Sequence, residues 1–382
     1  MVTSTIFTNV RARRDEALAT SDEDPLMRKL TFSFFGLLSG LIILVCNCEL
    51  SLAGSIEDVL TSLKGLSAKE RLTRVESEAR KEGRVHWASS TPQAWAEPML
   101  QIFRKRYPMI QVEYRSQSGR VLAERVIREH RAGSHDLDIV GTSIVTFAGM
   151  KDSGVIAPYV SPEAAQLRVN MKDPEGWWVG YFGDIQAIIC NKNRVANAPN
   201  AWKEFLDPKW KGTFSIDDTR YEWFYALQKI YGAEEANRLI TGFRNNGAVL
   251  RRGSTLRSQF VAAGEEFCAL GVYLGNVHLL LEKSAPVTYA VPEPAIMVPV
   301  INMMAKFPPH PYAAILLYDF ILTPEAMAQY ARANAVVPGR EGLPVSKEVA
   351  ELQGKRFHVI DVEAASRNYD KTVKEYSSLL KK

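Results

Sequence analysis

Histidine and cysteine are scarce in this 382-residue chain, with six of the first and four of the second. The histidines are scattered along the sequence, and no CxxC or HExxH spacing occurs after residue 53, so nothing in the pattern supports a dedicated zinc site. Charge of one sign is missing too: 47 lysines and arginines face 43 acidic residues, a formal net charge of +4. No basic block with interleaved aromatics interrupts that balance, which argues for solubility and against a nucleic-acid partner. Internal repeats, low-complexity stretches and catalytic motifs are also absent.

What is present begins with an export pattern. Met27-Arg28-Lys29 leads into the apolar run Leu30 to Val45, and Ser51-Leu52-Ala53 precedes Gly54. A basic start, an apolar centre and small residues at a cut describe a secretory signal peptide, cleaved after Ala53. Met27 then reads as the natural start, with residues 1–26 an artefact of start-site choice. A retained anchor competes, but the run is short against the roughly 20 apolar residues a membrane span needs. A lipoprotein cut before Cys46 or Cys48 is opposed by Val45 and Asn47, because that cut needs a small residue. Removing residues 1–53 leaves Cys190 and Cys268 in an oxidising compartment, where they could pair. Their neighbours, Ile188-Ile189 and Phe267 with Ala269, favour buried small hydrophobes.

The body of the chain reads as repeated strand-helix units. Residues 55–83 form a helical lead-in stopped by Gly83, and a strand follows over Arg84 to Ala88. Ser89-Ser90-Thr91-Pro92 turns into a helix that Pro108 ends. Ile110 to Tyr114, the turn Ser116-Gln117-Ser118-Gly119 and a helix to Arg131 repeat the unit. Leu137 to Val140, the turn Gly141-Thr142-Ser143 and a helix to about Lys151 repeat it again. Such alternation implies an α/β fold with a mainly parallel sheet flanked by helices. Ligands in open α/β sheets sit beyond the carboxyl ends of strands. Ser89, Ser90, Thr91, Ser116, Ser118, Gly119, Thr142 and Ser143 therefore become candidates to surround an anion or polar ligand with hydroxyl and N–H donors. Helix capping is the competing use of the same residues.

Trp177 to Lys192, reading WWVGYFGDIQAIICNK, is the strand expected to leave one lobe and enter another. Gly180 and Gly183 permit close approach of neighbouring chain. Tyr181, Phe182, Asp184 and Gln186 would line the cleft beside it. A buried central strand of a single large domain is the alternative.

Past that strand, Trp202-Lys203-Glu204-Phe205-Leu206-Asp207-Pro208-Lys209-Trp210-Lys211-Gly212 resembles a signature of bacterial extracellular solute-binding proteins of ABC importers, in the branch that includes the ferric-iron binders. Ala263-Gly264-Glu265, Pro292-Glu293, Pro311 to Ala314, Phe320 to Glu325 and Val336 to Arg340 follow in that family's order. The resemblance covers about Arg84 to Pro344. It implies a two-lobed periplasmic binding protein, a monomer whose lobes are joined by crossing hinge strands and close on a solute for an inner-membrane permease. The corresponding division places residues 54–183 and 293–342 in one lobe, 184–292 in the other, and 343–382 as a helical segment on the second.

In the ferric branch two adjacent tyrosines follow the A-G-E element, whereas here Tyr273 stands alone before Leu274-Gly275. Tyr273, Tyr221, Tyr225, Asp218 and Glu293 could still offer hard oxygen ligands, which leaves ferric iron as the alternative cargo. The second lobe otherwise offers cations beside small turns: Arg220 after Asp217-Asp218-Thr219, and Arg251-Arg252-Gly253-Ser254 at another helix start. Arg220, Arg252 and Ser254 suit a small anionic organic solute gripped by a guanidinium fork. Pairing with Asp217, Asp218 and Glu222 is their bland alternative. Trp87, Trp95, Trp178, Trp223 and Phe224 could add stacking walls or simply fill the core. No cofactor or resident metal is expected. An enzyme of this fold would need Cys190 as an exposed thiolate beside Asp184 or Glu293.

Overall fold

The computed structural model describes residues 54–381. The expected signal peptide and its cut after Ala53 lie outside the described residues. Among the described residues no helix is long and apolar enough to cross a membrane.

The lead-in is two helices, α1 (Ile56–Ser62) and α2 (Ala68–Glu82). Ser67 and Glu70 close a reciprocal capping box at the start of α2, and Gly83, at φ 69°, takes the left-handed conformation that ends it. Three units then follow: β1 (Arg84–Ser89) with α3 (Gln93–Arg106), β2 (Gln111–Ser116) with α4 (Gly119–Arg131), and β3 (Ile139–Ser143) with α5 (Phe147–Asp152). The strands run a few residues past their sequence-based ends, so Ser89, Ser116, Thr142 and Ser143 finish strands rather than occupy turns. A short β4 (Ile156–Ala157) leads to the thirteen-residue β5 (Val179–Asn191), every residue of which is buried.

Beyond it come β6 (Phe214–Ile216), α6 (Tyr221–Tyr231), α7 (Ala233–Asn245), β7 (Val249–Leu250), α8 (Ser254–Ala263), β8 (Cys268–Tyr273) and α9 (Leu274–Glu282). The return passes through β9 (Val287–Ala290), β10 (Ala295–Ala305), α10 (Pro311–Ile321) and α11 (Pro324–Asn334). The chain closes with β11 (Val337–Pro338), α12 (Lys347–Ala350), β12 (Phe357–Val359), α13 (Val362–Arg367) and α14 (Tyr369–Lys381).

The strand order is β2-β1-β3-β10-β5-β8-β6-β7. Each flank is parallel: β1 pairs with β2 and β3 on one side, and β6 with β7 and β8 on the other. The centre is antiparallel, because β5 and β10 run against each other and against β8 and β3. β5 joins the two parts. Its first half, to Ile185, bonds to β10, and its second half, from Gln186, bonds to β8 and β9. Gly183 faces the Met297 side chain so closely that a Cβ there would lie 2.4 Å from Met297 Cγ, which is why β5 and β10 need glycine at that point.

Most of the aromatics proposed as stacking walls are core. Trp87, Trp223 and Phe224 are fully buried, and Trp95 and Trp178 nearly so. The C-terminal helices divide between the two parts of the sheet. Ser366 of α13 accepts from Ala148 N at 2.7 Å, and Arg367 meets Asp152 at 2.6 Å, both on α5. Tyr376 of α14 instead donates to the Asp217 carbonyl at 2.8 Å, and α14 packs on α6 and α7.

Cys190 and Cys268 are buried as expected but are not free small hydrophobes. They face each other in the β5–β8 register, with Cα atoms 4.0 Å apart, and form a disulfide. Their 78-residue separation concealed this, since only strand pairing brings them together.

Candidate functional site

The three hydroxyl-bearing strand ends converge. Ser90 N donates to the Gly141 carbonyl at 2.9 Å, and Gln117 N donates to that of Ser89 at 2.9 Å. A Cβ on Gly119 would sit 2.7 Å from Thr142 Oγ1, 3.3 Å from Ser143 N and 3.5 Å from Ser90 Cβ. Only glycine therefore lets the first turn of α4 come this near to both neighbouring strand ends. The competing reading of these residues as helix caps fails at Ser118 and Ser143, whose side chains make no capping bond, and the cap position of α3 is Pro92. Ser89 Oγ accepts from Thr91 N at 3.2 Å, and Thr142 Oγ1 meets Thr146 Oγ1 at 3.1 Å. Ser116 and Ser118 are exposed, while Ser90 and Ser143 are half-buried.

A polar thread runs from these turns to the crossing strand. Tyr114 OH donates to the Thr91 carbonyl at 2.7 Å, and Thr91 Oγ1 lies 3.4 Å from Tyr181 OH. Burial raises the Tyr181 phenol far above its ordinary value, and Tyr330 of α11, buried beside it, behaves likewise. Asp184 comes next, 7% exposed, with Oδ1 lacking any hydrogen-bond partner. Burial pushes its carboxyl up to about 7, against a pull downward from Arg220 and a push upward from Glu222. Gln186 is fully buried, with both amide atoms unpartnered.

Across the strand stands a charged cluster. Arg220, at the start of α6, bonds Glu222 at 3.1 Å and Asp217 at 3.4 Å, and its guanidinium lies 4.4 Å from the Tyr273 ring centroid. Tyr273 OH donates to Glu222 Oε1 at 3.1 Å, and Tyr273 N donates to Ser254 Oγ at 2.8 Å. Asp217 also accepts from Thr219 N and Gly253 N at 2.9 Å each. Burial acts to raise Asp217, but Arg220, Thr219 and Arg257 outweigh it and hold the carboxyl below its ordinary value.

The structure thus draws Asp184, Arg220, Ser254 and Tyr273 together, and Ser89, Ser90, Thr91, Gly119, Thr142, Ser143 and Tyr181 into a second group. Other candidates stand apart. Arg252, with its side chain 75% exposed, is held by Asp218 through bonds of 3.0 and 3.3 Å. Tyr221 packs its ring 5.7 Å from that of Tyr369. Glu293 is exposed and paired with Arg356 at 2.9 Å, and no bond ties it to the cluster. The free arginine fork expected of Arg220 and Arg252 is absent, because each already faces a carboxylate. Glu222 was expected only as a partner of the arginines, and its bond from Tyr273 and the place of Tyr330 were not assigned by sequence reading. A glutamate beside Trp223 and Phe224 was the available signal for the first, since burial among aromatics demands a partner.

The sequence profile of the bacterial extracellular solute-binding proteins matches residues 138–368. The chain belongs to this family. Within it, the solute-binding protein is 27% identical over 224 residues to iron uptake protein A1 of Synechocystis sp., an alignment covering 53% of this chain and 61% of that protein. The chain thus spans about three fifths of that relative's length. Its fold is shared with apo ferric ion-binding protein A of Pasteurella haemolytica, at a TM-score of 0.69 and 19% identity, over 78% of this chain and 98% of the other. The periplasmic binding protein AfuA of Actinobacillus pleuropneumoniae, solved with fructose-6-phosphate bound, superposes with a TM-score of 0.68 at 18% identity, covering 78% and 99%. At such identities the two structures speak for the fold alone: a mixed α/β architecture with helices on both faces of the sheet. The thiol chemistry considered for Cys190 has no nucleophile here, since its sulfur is bonded to Cys268 within the sheet.

Proposed function

We propose that this protein is the exported substrate-binding component of an ABC importer, closing on a small anionic organic solute and passing it to an inner-membrane permease. One observation carries the reading: three strand ends bring hydroxyls and the N-terminus of α4 together while Ser118 and Ser143 cap nothing. Free N–H groups and hydroxyls at such a place are suited to an oxyanion. Across the strand Arg220 supplies cationic field, and Asp184, raised to about 7 and so about half protonated at pH 7, offers a donor in its neutral form. Binding energy would come from the difference in affinity between open and closed arrangements of the two sheet parts, with β5 as a hinge.

Ferric iron, alone or as a chelate, is the second reading. The oxygens of Asp184, Glu222 and Tyr273 favour it, being hard donors that lie together, and so does the similarity to an iron uptake protein. Native mass spectrometry of protein purified without refolding separates the two. An added organic mass supports the first reading. An added mass of one iron overturns it in favour of the second, and an unliganded mass that stays unchanged across a screen of small acids and ferric chelates overturns both.

A further inference from the structure

Four of the six histidines gather in two pairs: His86 with His310, remote in sequence, and His130 with His135. The first pair shares a fully buried carboxylate. Asp138, just before β3, accepts from the backbone N–H groups of His86 and His310 at 2.7 Å each, and its Oδ2 lies 3.0 Å from His310 Nδ1. One ligand atom from each of these three residues lies within 4.8 Å of the other two.

The surroundings are rich in negative charge. Glu113 and Asp136 place oxygens 3.4 and 3.6 Å from the His86 ring nitrogens, and Glu82 interacts with both Asp138 and His310. His86 Nδ1 faces the Asp136 carbonyl at 2.9 Å. Its Nε2 is buried without a hydrogen-bond partner, 3.4 Å from the Glu113 carboxylate. Carboxylates buried together are paired with a cation or coordinate a metal.

We propose that His86, Asp138 and His310 form a divalent transition-metal site, with zinc as the fitting ion. Two imidazoles and one carboxylate are a borderline donor set that suits zinc and is poor for magnesium or calcium, which prefer all-oxygen shells. The 3.0 Å between Asp138 and His310 is close to the roughly 3.3 Å edge of a tetrahedron built on bonds of about 2.0 Å. The ion replaces the proton now shared there, so small movements of the two rings complete the site. Asp138 is already fixed by backbone donors, which is the outer support that metal ligands require. The ion would tie β1, the entry to β3 and the start of α10 together, independently of solute binding.

The test is zinc titration by calorimetry of the disulfide-intact protein after chelator treatment, with cobalt absorption reporting coordination. One zinc per chain is expected. His86→Gln and His310→Gln should each weaken it by at least about tenfold and abolish the zinc-induced rise in melting temperature, while Asp184→Asn and His278→Gln leave binding unchanged. Should His310→Gln fail to fold, His86→Gln alone decides. No saturable zinc binding below roughly 1 mM, or binding that survives His86→Gln, overturns the proposal.

Discussion

Asp184 concentrates the argument at the scale of single residues. Its folded value near 7 stands above the ordinary 3.8, so the folded state holds the proton more tightly than the unfolded chain. The sign follows: Asp184 costs nothing below about pH 4, and stability is lost as pH rises toward 7, at up to about 1.4 kcal/mol per pH unit. Asp184→Asn should flatten that part of the pH–stability curve of the unliganded protein, measured by urea unfolding between pH 4 and 8. A parallel pair of curves would contradict the burial of its charge. The same group discriminates the cargo. An organic anion should bind more tightly at pH 5.5 than at pH 8, because the neutral acid does not repel it, whereas ferric iron should show the reverse in calorimetry. Sequence reading found Asp184 as a charged residue in the apolar crossing strand, Arg220 as a cation after the turn Asp217-Asp218-Thr219, and Tyr273 from the family resemblance. The pairing of Arg220 with Asp217 and Glu222, read there as the alternative to a free fork, is what the structure shows, whereas the approach of Tyr273 to the same cluster depends on how α6 packs on β8, which residue types do not encode.

At the scale of elements, helix and strand order was largely legible, and the contacts between elements were not. Gly83, Pro108 and the hydroxyl turns punctuate the first half because backbone conformation is a local property. The disulfide between β5 and β8 was not readable, because register is set by the whole sheet. Removing it tests its weight: Cys190→Ala with Cys268→Ala should lower unfolding free energy by about 4.5 kcal/mol, as closure of a loop with a sequence separation of 78 predicts. Reductant should produce a similar loss in the native protein and none in the double variant, monitored by denaturant midpoint. Gly119 provides a second test. Alanine normally strengthens a helix by up to about 1 kcal/mol over glycine, yet here its methyl would press on Thr142 and Ser143. Gly119→Ala should therefore reduce solute affinity at least tenfold without raising the melting temperature, and unaltered affinity would remove the three-turn cradle from the site.

For the whole molecule, the prediction is closure. Solute should reduce the radius of gyration in solution scattering, because β5 and the link from β9 to β10 are the strand connections between the two sheet parts. Superimposable profiles with and without saturating solute would count against hinge motion. The two-part reading was accessible from Trp177 to Lys192 because a long apolar strand with two glycines stands between two sets of strand-helix units. The antiparallel centre was hidden, as it arises only when β10 returns from the second part to lie between β3 and β5.

The division of the C-terminal helices adds a third connection. With α13 fastened to α5 and α14 fastened to α6 and α7, Asn368 lies in a tether distinct from both strand crossings. Two connections would let the parts both bend and swivel. Under the proposed closure, a third connection would remove the swivel and confine opening to a bend about one axis, with every intermediate on a single arc.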